Sequence, residues 1–166
     1  MPLRTSFAQM NCSFARAIDV IGDPWTLLVL RECFLGVERF EGFMQALGLA
    51  RNVLADRLQA LVAEGVLEKL PVEGHARHHA YRLTEKGEAL LPAMVALMQW
   101  GDVWISGAGA EPILAVGPDG APLAPVGLRR ANGRPLRPQD VRFAAGPGAE
   151  ALTRGHLAQL QAQGRK

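Results

Sequence analysis

The sequence predicts a mainly α protein of the α+β class, and three observations predict it. Apolar residues recur at helical spacing through most of residues 14–105. That pattern is interrupted once by a strand-like alternation, Val66-Leu67-Glu68-Lys69-Leu70, with a return run at Ala80-Tyr81-Arg82-Leu83. Beyond Ser106 come Gly107, Gly109, Pro112, Gly117, Pro118, Gly120, Pro122 and Pro125, a density of breakers that no helix survives. The composition therefore divides the chain into residues 1–106 and residues 107–166, with no repeat at a fixed period expected in either.

The helical elements can be justified one at a time. Phe14, Ile18 and Ile21 form one apolar stripe, closed by Gly22. Asp23-Pro24-Trp25 restarts a helix, since aspartate is a good N-cap and proline at the first helical position forfeits no hydrogen bond. Leu27, Leu28, Val29, Leu30, Cys33 and Phe34 make that helix apolar almost all round, so it belongs at the centre of the domain. Phe40, Phe43, Met44 and Leu47 repeat at i, i+3, i+4 and i+7, with Gly48 as the closing residue. After a short turn the stripe resumes at Leu54, Leu58, Leu61 and Val62 and stops at Gly65. Two short helices joined by a tight glycine-containing turn outline a helix-turn-helix, and an ordinary helical hairpin would look similar.

The hairpin that follows decides for the first alternative. Its polar tip is Glu73-Gly74-His75-Ala76-Arg77-His78, and a β-hairpin directly behind a helix-turn-helix is a wing. Thr84 then caps a long helix whose Leu90, Leu91, Met94, Val95, Leu97, Met98, Trp100, Trp104 and Ile105 cover more than one face. Such a helix is expected to be buried by its own domain on one side and by a second subunit on the other. Pro92 predicts a kink unless the helix starts later. The expected fold is a winged helix-turn-helix with long flanking dimerisation helices and a small C-terminal β-rich subdomain.

Composition excludes several classes. With 166 residues, 49% hydrophobic and 20% charged, the chain has an ordinary globular balance. No uninterrupted run of 18 or more apolar residues suggests a membrane span, and the N-terminus lacks the apolar stretch of a secretory signal. Two cysteines cannot form a disulfide framework and suit a reducing cytoplasm. Residues 1–106 carry 10 Lys+Arg against 12 Asp+Glu, and residues 107–166 carry 8 against 4, so bulk charge argues weakly for nucleic acid in the first part. No phosphate-binding glycine loop, nucleophile elbow or Ser/His/Asp motif is present, and no enzyme, cofactor or metal site is expected.

Three segments resemble the HxlR-type transcriptional regulators. They are Cys12-Ser13-Phe14-Ala15-Arg16-Ala17-Ile18-Asp19-Val20-Ile21-Gly22-Asp23-Pro24-Trp25-Thr26-Leu27-Leu28-Val29-Leu30-Arg31, then Leu49-Ala50-Arg51-Asn52-Val53-Leu54-Ala55-Asp56-Arg57-Leu58, then Tyr81-Arg82-Leu83-Thr84-Glu85-Lys86-Gly87. The first is fairly specific to the family and the last is generic. The resemblance covers roughly residues 10–106. It implies a cytoplasmic, homodimeric regulator, more often a repressor, that binds duplex DNA at a palindromic operator.

Candidate contacts follow from the second helix of the motif. With its apolar stripe inward, Asn52, Ala55, Asp56 and Gln59 share the opposite face. Asparagine and glutamine can pair bidentately with adenine, and Arg51 and Arg57 can reach guanine or phosphate. Asp56 is awkward there, and can accept from a cytosine amine or orient a neighbouring arginine. Arg77 at the wing tip can reach phosphate or the minor groove, or is simply a solvated hairpin residue. His75, His78 and His79 cluster at the same tip without a proper partner spacing for metal. Cys12 matches in position a cysteine with which some members of the family sense oxidants. Its alternative is a small residue packed at a helix start. Trp25, Trp100 and Trp104 are candidates for a small-molecule effector pocket, or are core aromatics.

Past residue 107, Ile113–Val116, Leu123–Leu128 and Val141–Phe143 read as short strands separated by Asp119-Gly120 and Asn132-Gly133, both strong hairpin turns. The arrangement loosely resembles a ribbon-like extension on some family members whose cysteines hold zinc, and no cysteine follows Cys33 here. Arg129, Arg130, Arg134, Arg137 and Arg142 would extend a DNA footprint, contact a partner, or keep the subdomain soluble, the last being the default. Residues 149–163 outline a marginal closing helix. The competing function is a winged-helix protein-interaction module that does not bind DNA.

Overall fold

The computed structural model describes residues 6–72 and 75–163, with the side chains of residues 75–77 set aside. Two compact units are formed, residues 17–126 and residues 1–16 with 127–166. These limits differ from a single break near 107, because Gln99 holds the chain beyond it: its amide donates to Ala124 O at 3.2 Å and its Oε1 accepts from Val126 N at 2.7 Å.

In the first unit the helices run in the expected order. Helix α1 (Ser13–Ile21) crosses the limit between the units, and α2 (Pro24–Phe34) follows directly. Asp23 caps α2 by accepting from Trp25 N and Thr26 N, and Pro24 occupies the first helical position. Helix α3 (Phe40–Leu47) ends on Gly48 at φ 62°, the left-handed conformation that glycine adopts without a Cβ penalty. Helix α4 (Arg51–Ala63) buries Leu54, Leu58 and Leu61. They join Val29, Leu30, Phe43, Leu49, Val66 and Leu67 in one core, with Phe43 meeting Tyr81 edge to face at 6.5 Å between centroids.

The wing is a two-stranded antiparallel hairpin, β1 (Leu67–Val72) and β2 (His75–Leu83), in the register Leu67↔Leu83 to Pro71↔His79, with an irregularity before Val72. It is longer than expected: the backbone of residues 75–78, assigned by sequence to a polar tip, belongs to β2. Tyr81 N also bonds to Glu38 O, and Arg82 pairs with Glu38 at 2.9 Å, which ties the approach to α3 against the wing.

Thr84 caps only a single turn, α5 (Glu85–Glu88); after a break, α6 (Leu91–Gly101) starts with Pro92 in its first turn. The proline therefore sits where its missing N–H costs nothing, and no kink results. The backbone continues as a π-helical turn, Asp102–Ser106. Within the 22 residues Glu85–Ser106 an 18-residue stretch has a mean hydropathy of 1.2, long and apolar enough by length and composition to cross a membrane. The sequence expectation rested on unbroken apolar runs and missed this average.

The β-rich subdomain expected after residue 107 is corrected. The described residues there contain two tight turns, each closed by one isolated bridge, Val116↔Pro122 and Arg129↔Pro135, and no strand. The two turns are copies with a period of about 13 residues, a repeat the sequence reading missed. Gly117 N→Ala121 O and Leu123 N→Ala115 O in the first match Arg130 N→Arg134 O and Leu136 N→Leu128 O in the second, all at 2.8–2.9 Å. Asp119-Gly120 and Asn132-Gly133 occupy the turns as expected, at φ 77° and 81° for the glycines. Each ladder stops because the next donor position holds a proline, Pro125 or Pro138, in the shared Pro-Leu-x-Pro ending.

In the second unit, the turn at residues 128–136 leads to a 3₁₀ turn (Pro138–Asp140) and α7 (Ala151–Gln163). The start of α7 is held by Asn11, whose Oδ1 accepts from Glu150 N at 2.9 Å and from Thr153 Oγ1 at 2.9 Å. That cap comes from a residue 139 positions earlier in the chain and offsets the weak propensity of a helix containing Gly155.

Candidate nucleic-acid interface

Helix α4 presents a polar face because its apolar positions are spent on the core. Asn52, Ala55, Asp56 and Gln59 are all exposed, opposite Leu54, Leu58 and Leu61, as the spacing required. Ala50 precedes the helix and supplies no side-chain cap, so among the described residues no side chain caps the first-turn N–H groups. Arg51 is exposed at that end, its guanidinium 5.0 Å from the centre of the Phe40 ring. The stack restricts a long side chain at the mouth of the helix-turn-helix, where a restrained guanidinium forfeits less rotamer entropy on contact.

Arg57 lies elsewhere. It is half-buried, with Nε 3.1 Å from Oδ1 of Asp23, the carboxylate that caps α2. The two groups are close but not aligned as a hydrogen bond, and Arg57 Nε is left without one. The contact is a Coulombic tie between α4 and the start of α2, and it engages a side chain that the sequence offers as a base or phosphate contact. The side chain of Arg77 lies outside the described residues.

Trp25, Trp100 and Trp104 are 41%, 55% and 74% exposed, and none lines the apolar groove of about 310 Å³ in the first unit. That groove runs between Phe34 and Leu35 at the end of α2 and Leu91, Met94, Met98 and Ile105. On α6 the groove takes positions 91, 94, 95, 97, 98 and 101, while Trp100 and, beyond the helix, Trp104 are exposed and do not line it. The sequence showed that the apolar residues of the helix cover more than one face but not which side faced α2.

The cysteines differ as their surroundings do. Burial, and next the charge of Glu32, push the Cys33 thiol up to about 12, which keeps it protonated and unreactive. Cys12 is exposed in the second unit, immediately before α1, and its carbonyl accepts from Arg16 N. It lines an open cleft with Asn11, Arg16 and the chain at 144–149.

The model of the HxlR-like helix-turn-helix family matches residues 20–108. An uncharacterized HTH-type transcriptional regulator of Mycobacterium tuberculosis is 44% identical over 101 residues, 61% of this chain, and the match spans 64% of that protein's length. Among solved structures, PA1607, described as a candidate transcription factor, superposes with a TM-score of 0.79 at 41% identity, covering 86% of this chain and 100% of that one. The reduced form of the redox regulator HypR is 26% identical with a TM-score of 0.50, covering 54% of this chain and 90% of that chain.

Proposed function

The chain belongs to the HxlR-like helix-turn-helix family, and from that premise we propose that it is a sequence-specific DNA-binding transcriptional regulator acting as a homodimer in the cytoplasm. The observation that carries this reading is the outward face of α4. Asn52 and Gln59 are exposed one above the other on a helix whose other side is fixed in the core, and Arg51 is held at its start. Inserted in the major groove, such a face offers two amide side chains for adenine and one arginine for guanine or phosphate. Ala55 between them leaves room for a thymine methyl, and Asp56 can accept from cytosine.

The homodimer is supported by Trp100 and Trp104, large apolar side chains exposed on α6 and its continuation that do not line the groove. A small-molecule effector would enter the apolar groove beside α2 rather than the tryptophan surface. A redox response would use Cys12, since Cys33 is held as a thiol; the likeness to a redox regulator supports this second input. Repression would follow from occupancy of a palindromic operator. The interaction-module reading is favoured by one observation, the balance of 8 Lys+Arg against 14 Asp+Glu in residues 17–126.

Selection from random duplex DNA with the reduced protein separates the two. An inverted repeat with half-sites about one helical turn apart is the expected result. Enrichment of no sequence, together with no salt-dependent affinity for any duplex, overturns the DNA-binding reading in favour of the interaction module.

A further inference from the structure

The charge of this chain is in an unexpected place for a DNA-binding protein. Residues 17–126, which include the helix-turn-helix and wing, carry 8 Lys+Arg and 14 Asp+Glu; residues 1–16 with 127–166 carry 10 and 2. The sequence-independent part of duplex affinity comes from cations that displace counterions from phosphates. A unit with a net charge of −6 is a poor source of it, and the unit at +8 is a good one.

Within the second unit the cations converge. A concavity of about 580 Å³ is lined by Arg130, Asn132, Arg134, Gln139, Asp140 and Arg142. Its single acid is already matched by a further arginine: Arg137 Nε and Nη2 donate to the two oxygens of Asp140 at 3.1 and 3.3 Å. The side chains of Arg130, Arg134 and Arg142 have no ion-pair partner among the described residues. Their backbone is preorganised, with Asn132 Oδ1 accepting from Arg134 N at 3.2 Å and Arg129 Nη1 donating to Gly133 O at 3.1 Å.

The repeat shows that the arginines are not needed to build this turn. The first copy closes through the same hydrogen bonds with Gly117 and Ala121 where the second has Arg130 and Arg134. Two cations have been added side by side to a frame that forms without them. No buried polar group selects one small anion, and the surface is open, so it suits the spaced phosphates of a polyanion. Arginine meets phosphate bidentately.

We infer that the turn at residues 128–142 is a second contact with the DNA backbone, outside the helix-turn-helix, made by Arg130, Arg134 and Arg142. This rests on the DNA-binding reading above, and the test keeps the two separable. Affinity is measured against KCl concentration for the selected operator and for a random duplex, with three full-length proteins. These are the wild type, Asn52→Ala with Gln59→Ala, and the triple Arg130→Gln, Arg134→Gln, Arg142→Gln.

The triple variant is expected to bind both duplexes more weakly, with its slope of log K against log salt reduced by about 2–3 and the operator preference kept. The α4 variant should lose the preference and keep the slope. Lysine at the same three positions should restore most of the slope. A wild-type slope in the triple glutamine variant overturns the inference and leaves the arginines to an acidic protein partner. Equal loss with lysine and with glutamine also overturns it, because a disturbed turn rather than lost charge is then responsible. A wild type that shows a tail-dependent slope but no sequence preference removes the α4 reading alone.

Discussion

Replacing Arg57 separates two roles that the sequence could not distinguish, a base contact and a brace. Arg57 Nε lies 3.1 Å from Asp23 Oδ1, with the two side chains 28% and 20% exposed. At an effective dielectric near 20 the bare attraction would be about 5 kcal/mol, but desolvation and side-chain ordering offset most of it. Because the pair is not aligned as a hydrogen bond, about 1 kcal/mol is the net expectation. Asp23 does a second job, accepting from Trp25 N at 3.0 Å and Thr26 N at 3.2 Å, which as a helix cap contributes about 1 kcal/mol. Arg57→Ala should therefore cost about 1 kcal/mol and Asp23→Ala about 2 kcal/mol, while the double variant should also cost about 2 kcal/mol, a coupling of about 1 kcal/mol. Urea unfolding midpoints at constant m give all three values. Additivity to within about 0.3 kcal/mol would show that the contact contributes nothing. The DNA arm is equally decisive: Arg57→Ala should keep the preference for operator over random duplex. Loss of that preference with unchanged stability would refute the brace and return Arg57 to the base contacts.

Three other outcomes follow from the packing and the cysteines. Gly87 packs under the start of the wing, where an added Cβ would lie 2.3 Å from Val66 O and 2.9 Å from Leu83 Cδ2. Gly87→Ala should lower stability by about 1–3 kcal/mol in the same urea assay, and a near-zero change would mean that the junction of β2 and α5 opens freely. Iodoacetamide at pH 8 should label Cys12 in the native protein and reach Cys33 only after denaturation. The Cys33 thiol titrates near 9.0 when unfolded and near 12 when folded, so the folded state binds more protons in between. Its contribution to stability is full below pH 9 and is lost as pH rises from 9 toward 12, and Cys33→Ala should flatten that decline between pH 9 and 10.

Much of the fold was legible because its signals are local. The Asp23-Pro24 start of α2, the Gly48 end of α3 and the stripe Leu54, Leu58 and Leu61 each depend on neighbours within a turn or two. For the same reason the exposed face of α4 was correct, since burying one stripe of a helix exposes the other. The tail failed differently. Its turn residues were recognised, but strands were expected around them, because the prolines at 125 and 138 were not weighed as missing donors in a ladder. The period linking Asp119-Gly120-x-Pro-Leu-x-Pro to Asn132-Gly133-x-Pro-Leu-x-Pro was present in the sequence and would have revealed the arginines added to the second copy.

By itself, then, the sequence determined the order of helices α1 to α4 and the wing behind them, the family they belong to, and the exposed side of α4. These depend on hydrophobic periodicity and capping, which act over a few residues. Only the tertiary structure decided that Arg57 serves Asp23, 34 positions before it, and that Asn11 holds a helix beginning 140 residues later. It also decided that α6 turns Met94 and Met98, and not Trp100, toward α2. A charged or amide group has several partners of equal chemical merit in any chain, and an all-apolar helix has no preferred face. Proximity in the folded state makes the choice in each case, because the energy of a contact depends on distance through space and not along the chain.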